Sequence, residues 1–209
     1  MLHYETVEPG TLGLLRKLMR IPEFNQFRLV GGTALSLLLG HRTSIDLDLF
    51  TAEAFDKNVI FDVLQQNFKD FSFSEPKSTR LIFAHLNGIK TDFVHTFEPF
   101  STNYSLIDDI RLASLEEISA FKLNAIAGRG AKKDFWDIHR LLKIFTFNQM
   151  LGFYSEKYPH NDLMMVIKSF TYFQDADGNP DPFSFEAIKW EFIKKELKIT
   201  LKNYLTNKE

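Results

Sequence analysis

The chain has 209 residues, 44% of them hydrophobic and 25% charged, with a formal net charge of -2. That balance supports a folded core in one large or two small domains, and it excludes both a disordered chain and a protein drawn to nucleic acid by global charge. Cysteine is absent, which excludes disulfides and thiolate metal sites, and no apolar run approaches the roughly 18 residues of a membrane span.

The first residues, MLHYETVEP, show no basic-then-apolar leader pattern, so a soluble, cytoplasmic protein without a membrane partner is expected. From Pro9 to Ile21, Leu12, Leu15, Leu18 and Met19 recur at helical spacing with Arg16, Lys17 and Arg20 between them, the pattern of an amphipathic helix. Phe27–Val30 reads as a short buried strand running into Gly31-Gly32-Thr33. Glycines there let the backbone approach a ligand closely, and a following helix over Ala34–Leu39 offers free amides to phosphate. A tight strand-to-helix turn asks for the same residues. Beyond Gly40-His41-Arg42-Thr43-Ser44, the segment Ile45–Phe50 alternates apolar and acidic residues and is predicted as a strand. Asp46 and Asp48 then share one face. Two adjacent carboxylates repel, and a hard divalent cation is their natural neutraliser.

A helix is predicted around Asp56–Phe68, with Val59, Ile60, Val63, Leu64 and Phe68 as its apolar face. Strands follow at Phe71–Ser74, Thr79–Leu86 and Ile89–Thr96, and Asn87-Gly88 between the last two is a strong hairpin signal. Asp92 is the only acid of the return strand. His85 and His95 also fall on this hairpin, but their spacing matches no zinc motif, so ordinary surface or core imidazoles are expected.

From about residue 105 the chain reads as helical to its end, without a further strand. Ser114-Leu115-Glu116-Glu117 fits a capping box, and the helix it opens runs to about Gly128, with Lys122 in a stripe beside Leu115, Ile118, Ala125 and Ile126. A lysine in an apolar stripe needs a partner, either a triphosphate or a nearby carboxylate. Gly128-Arg129-Gly130 breaks this helix, and Lys132–Phe145 forms the next, where Asp134 and Asp137 share a face and Lys133 can pair with Asp137. Helices over Phe147–Tyr158 and Asp162–Phe173 follow, the second with a Met- and Phe-rich stripe that reads as packing. Asp175–Pro182 holds acids near calcium-loop spacing, but Pro180 stands where such a loop needs glycine, so it reads as a connector. The last predicted helix, Ser184–Leu205, carries Lys189, Lys194, Lys195, Lys198 and Lys202 on a solvated face.

Gly31, Gly32, Thr33, Ala34 and Leu35, followed by Arg42, Ser44, Asp46, Leu47, Asp48 and Phe50, resemble the nucleotidyltransferase superfamily. More narrowly they resemble the AbiEii/AbiGii toxin family of abortive-infection nucleotidyltransferases. The superfamily usually has Gly-Ser where this chain has Gly32-Thr33, so the hydroxyl is kept. Lys122, Ala125 and Arg129, followed by Lys133, Asp134 and Asp137, resemble the same family again. The resemblance implies an α/β protein. Residues 1–105 would form a nucleotidyltransferase-like small mixed β-sheet flanked by helices, and residues 106–209 an all-helical C-terminal domain closing the nucleotide cleft.

The implied chemistry is metal-dependent transfer of a nucleoside monophosphate from an NTP to an acceptor hydroxyl, with release of pyrophosphate. Asp46, Asp48 and, as the third acid of the superfamily, Asp92 would hold Mg2+ or Mn2+. Gly31, Gly32 and Thr33 would meet the phosphates and Lys122 would neutralise them. Asp137 would be a site residue or an orienter of Lys122 and Arg129, and Arg42 would brace the acidic strand or touch phosphate. The residues by themselves leave a salt-bridge network between two helices as the alternative for Lys122, Asp134 and Asp137. The implied role is the toxin of a toxin-antitoxin or phage-defence pair, with an antitoxin protein as partner and RNA, such as the tRNA 3′ end, as acceptor. Transfer to a protein or an aminoglycoside-like small molecule is the rival enzymatic reading, and a non-catalytic NTP- or partner-binding module the rival outside enzymes.

Overall fold

Residues 1–74 and 78–206 are described by the computed structural model, and the chain divides into two units, Met1–Ser114 and Leu115–Glu209. In the first unit the helices α1 (Pro9–Met19), α2 (Gly31–Leu39) and α3 (Lys57–Asn67) accompany a mixed sheet. Its strands are β1 (Arg28–Val30), β2 (Leu47–Thr51), β3 (Phe71–Ser74), β4 (Leu81–Leu86), β5 (Ile89–His95), β6 (Ser105–Ile107) and β7 (Ile110–Leu112), in the spatial order β3-β4-β5-β2-β1-β7-β6. β2 pairs parallel with β5, and β1 parallel with β7; the remaining neighbours are antiparallel.

Local chemistry explains most of these elements. β4 buries Ile82, Ala84 and Leu86 and exposes Phe83 and His85, the alternation of a strand with one covered face. Asn87 and Gly88 both take positive φ, 51° and 77°, which closes the β4–β5 hairpin in two residues as expected. Asp56 caps α3 by accepting from the Asn58 amide. Ile60, Val63, Leu64 and Phe68 are buried behind that helix, whereas Val59, expected on the same apolar face, is exposed. Phe24, Phe27 and Phe93 form the aromatic centre of the unit, with ring centroids 5.2 to 6.1 Å apart.

The expectation of no strand beyond residue 105 is corrected by β6 and β7. They form a hairpin through Asp108 and Asp109, both at positive φ, and β7 continues the sheet beside β1, with Leu29 opposite Leu112. Strands of three residues are too short to display a period of two, and Asp-Asp is a weaker turn signal than Asn-Gly. The first unit therefore runs to Ser114 rather than to residue 105.

The second unit contains α4 (Leu115–Gly128), α5 (Lys132–Leu141), α6 (Phe147–Lys157), α7 (Leu163–Ser169), α8 (Gln174–Asp177) and α9 (Trp190–Thr206). Glu117 of α4 and Lys157 of α6 form a buried ion pair, Nζ to Oε1 2.6 Å. Phe135, Phe173 and Trp190 pack within 5.1 to 5.9 Å of one another, and Trp136 stacks on Trp190. The last helix begins at Trp190 rather than Ser184, beyond a connector that holds Pro180 and Pro182. In the stripe expected to pack, Val166, Phe170 and Phe173 are buried but Met164 and Met165 are exposed. Among the described residues no helix is long and apolar enough to cross a membrane.

β7 also buries Arg111. Its Nε donates to Phe27 O at 2.8 Å, and its two terminal nitrogens donate to Met19 O and Phe24 O at 3.0 Å each. One guanidinium thus serves three main-chain carbonyls in the passage from α1 to β1, the segment that feeds the Gly31 turn. Arg111→Met strands those acceptors and is expected to lower stability by about 3 kcal/mol. Urea unfolding checks this; a midpoint equal to that of the unaltered protein would refute the assignment.

Candidate active site

β1 ends at Val30 and α2 begins at the next residue, so strand turns into helix without a linker. Gly31 makes the turn at φ +70°, and a Cβ there would collide with Asp48 Oδ2. Glycine alone meets both demands. A Cβ on Gly32 would lie 2.5 Å from Arg42 Nη2 and 3.1 Å from Ser44 Oγ. The first turn of α2 is therefore laid against the Asp48 carboxylate on one side and Arg42 on the other. Val30 offers no side-chain cap, which leaves the first amides and the positive end of the helix dipole to other acceptors.

The pairing register then assembles the acids. Asp48 of β2 stands opposite Asp92 of β5, with Val30 of β1 and Phe83 of β4 continuing the row on either side. Asp46 lies just before β2 rather than within it. The Thr33 hydroxyl hydrogen-bonds the Asp46 carbonyl and lies 2.9 Å from Ser44 Oγ. Thr33 is fully buried, so its hydroxyl, expected to meet phosphate, is occupied in holding the segment that carries Asp46. Arg42 is also buried, and its Nη1 donates to Thr43 O at 2.8 Å.

Asp92 is only 7% exposed. Its Oδ2 accepts from Lys90 Nζ at 2.6 Å, while its Oδ1 is buried without a hydrogen-bond partner among the described residues. Burial pulls the Lys90 ammonium down, but the hydrogen bond and charge of Asp92, with the charges of Asp48 and Asp46, outweigh it and hold Lys90 above the usual lysine value. A buried, unpartnered carboxylate oxygen within a set of three hard oxygen donors is the chemistry of a divalent-cation site. Among the described residues no three His, Cys, Asp or Glu side chains are drawn together at coordinating distance. His85 is exposed opposite Lys90, while His95 is aligned with Thr51, so the two imidazoles stand apart.

In the second unit the other motif residues also meet. Lys122 Nζ lies 2.9 Å from Asp134 Oδ1 and 2.6 Å from Asp137 Oδ2, and Arg129 binds Asp134 through Nε and Nη2 at 2.9 and 3.0 Å. Lys122 is 4% exposed, and both aspartates are fully buried. The cluster is the salt-bridge network between two helices, with Asp134 at its centre. Burial pushes the Asp134 carboxyl up, but Lys122 and Arg129 outweigh it and hold it below the usual carboxylate range.

Lys90 is the site residue that sequence reasoning missed. The signal was present, because residues i and i+2 of a strand share a face, which places Lys90 beside Asp92.

Comparison with known proteins bears on this geometry. Residues 13–84 match the family described as Nucleotidyl transferase AbiEii toxin, Type IV TA system. Over 201 residues the chain is 33% identical to an uncharacterized protein of Aquifex aeolicus, covering 92% of this chain and 95% of that one. In fold it is similar to a candidate nucleotidyltransferase of Helicobacter pylori, with a TM-score of 0.55, 21% identity, and coverage of 97% of this chain and 99% of the other. It is likewise similar to MenT4, a nucleotidyltransferase toxin of Mycobacterium tuberculosis, with a TM-score of 0.55, 14% identity, and coverage of 90% and 80%.

Three variants test this geometry. Gly31→Ala is expected to lower stability by roughly 1–3 kcal/mol through backbone strain and the clash with Asp48. Gly10→Ala, whose Cβ meets nothing within 4 Å in α1, should be neutral or slightly stabilising in the same thermal melts. Asp134→Asn should cost roughly 3 kcal/mol near neutral pH, because it removes one member of a buried ion cluster. The folded-state value of Asp134 lies below its unfolded value of 3.8, so its contribution is complete above that pH and fades as pH falls through the folded value. Urea unfolding from pH 7 to 3 should show the difference between variant and wild type shrinking at the acid end.

Proposed function

This chain belongs to the AbiEii nucleotidyl transferase toxin family, and on that premise we propose that it transfers a nucleoside monophosphate from an NTP to an acceptor hydroxyl. The observation that carries the reading is the in-register placement of Asp48 beside Asp92, with Asp46 just upstream and the first turn of α2 against Asp48. Asp46, Asp48 and Asp92 are the residues that would hold Mg2+ or Mn2+. When bound, such an ion supplies charge neutralisation for the triphosphate and eases ionisation of the attacking hydroxyl.

The acceptor oxygen attacks the α-phosphorus, the bond to the bridging oxygen of the β-phosphate breaks, and pyrophosphate leaves. Asp92, whose Oδ1 has no hydrogen-bond partner among the described residues, takes the hydroxyl proton. Gly31 and Gly32 let the phosphates approach the first-turn amides of α2. Arg42 and Thr33 position this turn and the segment bearing Asp46. Lys122, Asp137 and Arg129, joined through Asp134, act as positioning residues, because the Lys122 ammonium is already shared by two buried carboxylates.

The acceptor we infer is RNA, such as the tRNA 3′ end, with the chain acting as the toxin of a toxin-antitoxin pair and an antitoxin protein as its partner. The family description supports the toxin role. Phe83 supports a nucleic-acid acceptor: it is exposed and stands opposite Asp92, where a terminal base can stack on its ring.

The test is a labelling assay with Mg2+ or Mn2+, each α-labelled NTP in turn, and total RNA. Label on RNA is expected, reduced on the order of 100-fold or more in Asp48→Asn. Label on protein instead would reassign the acceptor. Absence of both labelling and metal-dependent NTP binding would overturn the enzymatic reading.

A further inference from the structure

Lys90 is a cation paired with one of the acids, Asp92, and its surroundings differ from those of Lys122. Lys122 is locked between two carboxylates in a dry interior. The Lys90 side chain is 45% exposed and forms an ion pair at 2.6 Å with Asp92, whose side chain is 11% exposed. Strand alternation sets Lys90 and Asp92 on one face of β5, and the ladder sets Asp48 beside Asp92 on that face. The ammonium feels the charges of all three acids, yet among the described residues it bonds one oxygen of Asp92 and leaves the other buried without a hydrogen-bond partner. Asp92 thus holds one monovalent cation on Oδ2 and retains Oδ1 for more positive charge.

An ammonium and a divalent ion compete for the same carboxylate oxygens. The ion wins at sufficient concentration, because its charge is double and it takes several oxygens at once. A displaced lysine on a flexible, half-exposed stem does not need to be buried unpaired. In nucleotidyl transfer the incoming triphosphate brings new negative charge to the same place, and it is the natural next partner for the freed ammonium.

We propose that Lys90 is an exchangeable cation of this site: it neutralises Asp92 until a divalent ion binds, and then turns to the phosphate oxygens of the NTP. The proposal rests on the nucleotidyl-transfer reading and adds to it a phosphate-binding residue supplied by the catalytic strand itself.

The two roles predict changes of opposite sign. With the full chain and no nucleotide, Mn2+ binding followed by the free-ion paramagnetic resonance signal should tighten about 3- to 10-fold in Lys90→Met, since a competing positive charge is removed. Lys90→Arg, which keeps the charge, should stay near wild type. At saturating Mn2+, calorimetry with a non-hydrolysable NTP analogue should show the same Lys90→Met variant binding nucleotide about 3- to 10-fold more weakly. A lysine that merely props Asp92 in place would weaken both affinities together, and that result overturns the proposal. Unchanged Mn2+ affinity in Lys90→Met, with wild type binding Mn2+ normally, overturns the exchange while leaving nucleotidyl transfer intact. Tighter Mn2+ with unchanged nucleotide affinity overturns the phosphate contact. Failure of wild type to bind Mn2+ with or without nucleotide overturns this proposal and the nucleotidyl-transfer reading together.

Discussion

Two carboxylates held side by side on neighbouring parallel strands are the constraint around which the first unit is built. Asp48 and Asp92 stand side by side because five consecutive residue pairs lock β2 to β5, and a slip of one strand by one step would send its acid to the opposite face of the sheet and part the two. Left alone, such a pair is unfavourable. The surrounding structure accommodates it in three ways. Gly31 allows the start of a helix to approach Asp48 where no side chain could fit, Thr33 anchors the segment bearing Asp46, and Lys90 places a positive charge on Asp92. Even the support reaches back to this point, since Arg111 ties down the three carbonyls along the route from α1 into β1.

The second unit uses charge differently. Lys122, Arg129, Asp134 and Asp137 satisfy one another, as Glu117 and Lys157 do a few residues away. Buried ion pairs of this kind add little stability over an apolar core, but breaking one leaves a charge stranded, so they fix how helices meet. A motif that is expected to serve the nucleotide is thereby also the joint between α4 and α5. The same lysine-and-acid spelling supports either function, and the geometry of this chain assigns it first to architecture.

Several local features around the candidate site are legible in the sequence. The Gly-Gly-Thr turn, the Asn87-Gly88 hairpin and the lone acid on its return strand all rest on local rules that neighbours in sequence can satisfy, whereas Asp46, expected on the strand with Asp48, falls just before it. Other features were not legible because their causes are distant. β6 and β7 are too short to carry a periodicity and exist because β1 offers an open edge. Val59, Met164 and Met165 are apolar yet exposed, because helical spacing states which residues share a face but not how wide a strip of it is covered.

The sequence by itself determined the glycines of the turn and the strands that carry Asp48 and Asp92, because backbone conformation and strand alternation act over a few residues. Only the tertiary structure decided which charges meet. Asp48 and Asp92 are far apart along the chain and become neighbours through the β2–β5 pairing, Thr33 and Asp46 through the return of the chain past α2, and Lys122 finds its carboxylates through the packing of α4 on α5. Electrostatic partnership depends on distance and burial, and both are set by long-range packing rather than by spacing along the chain.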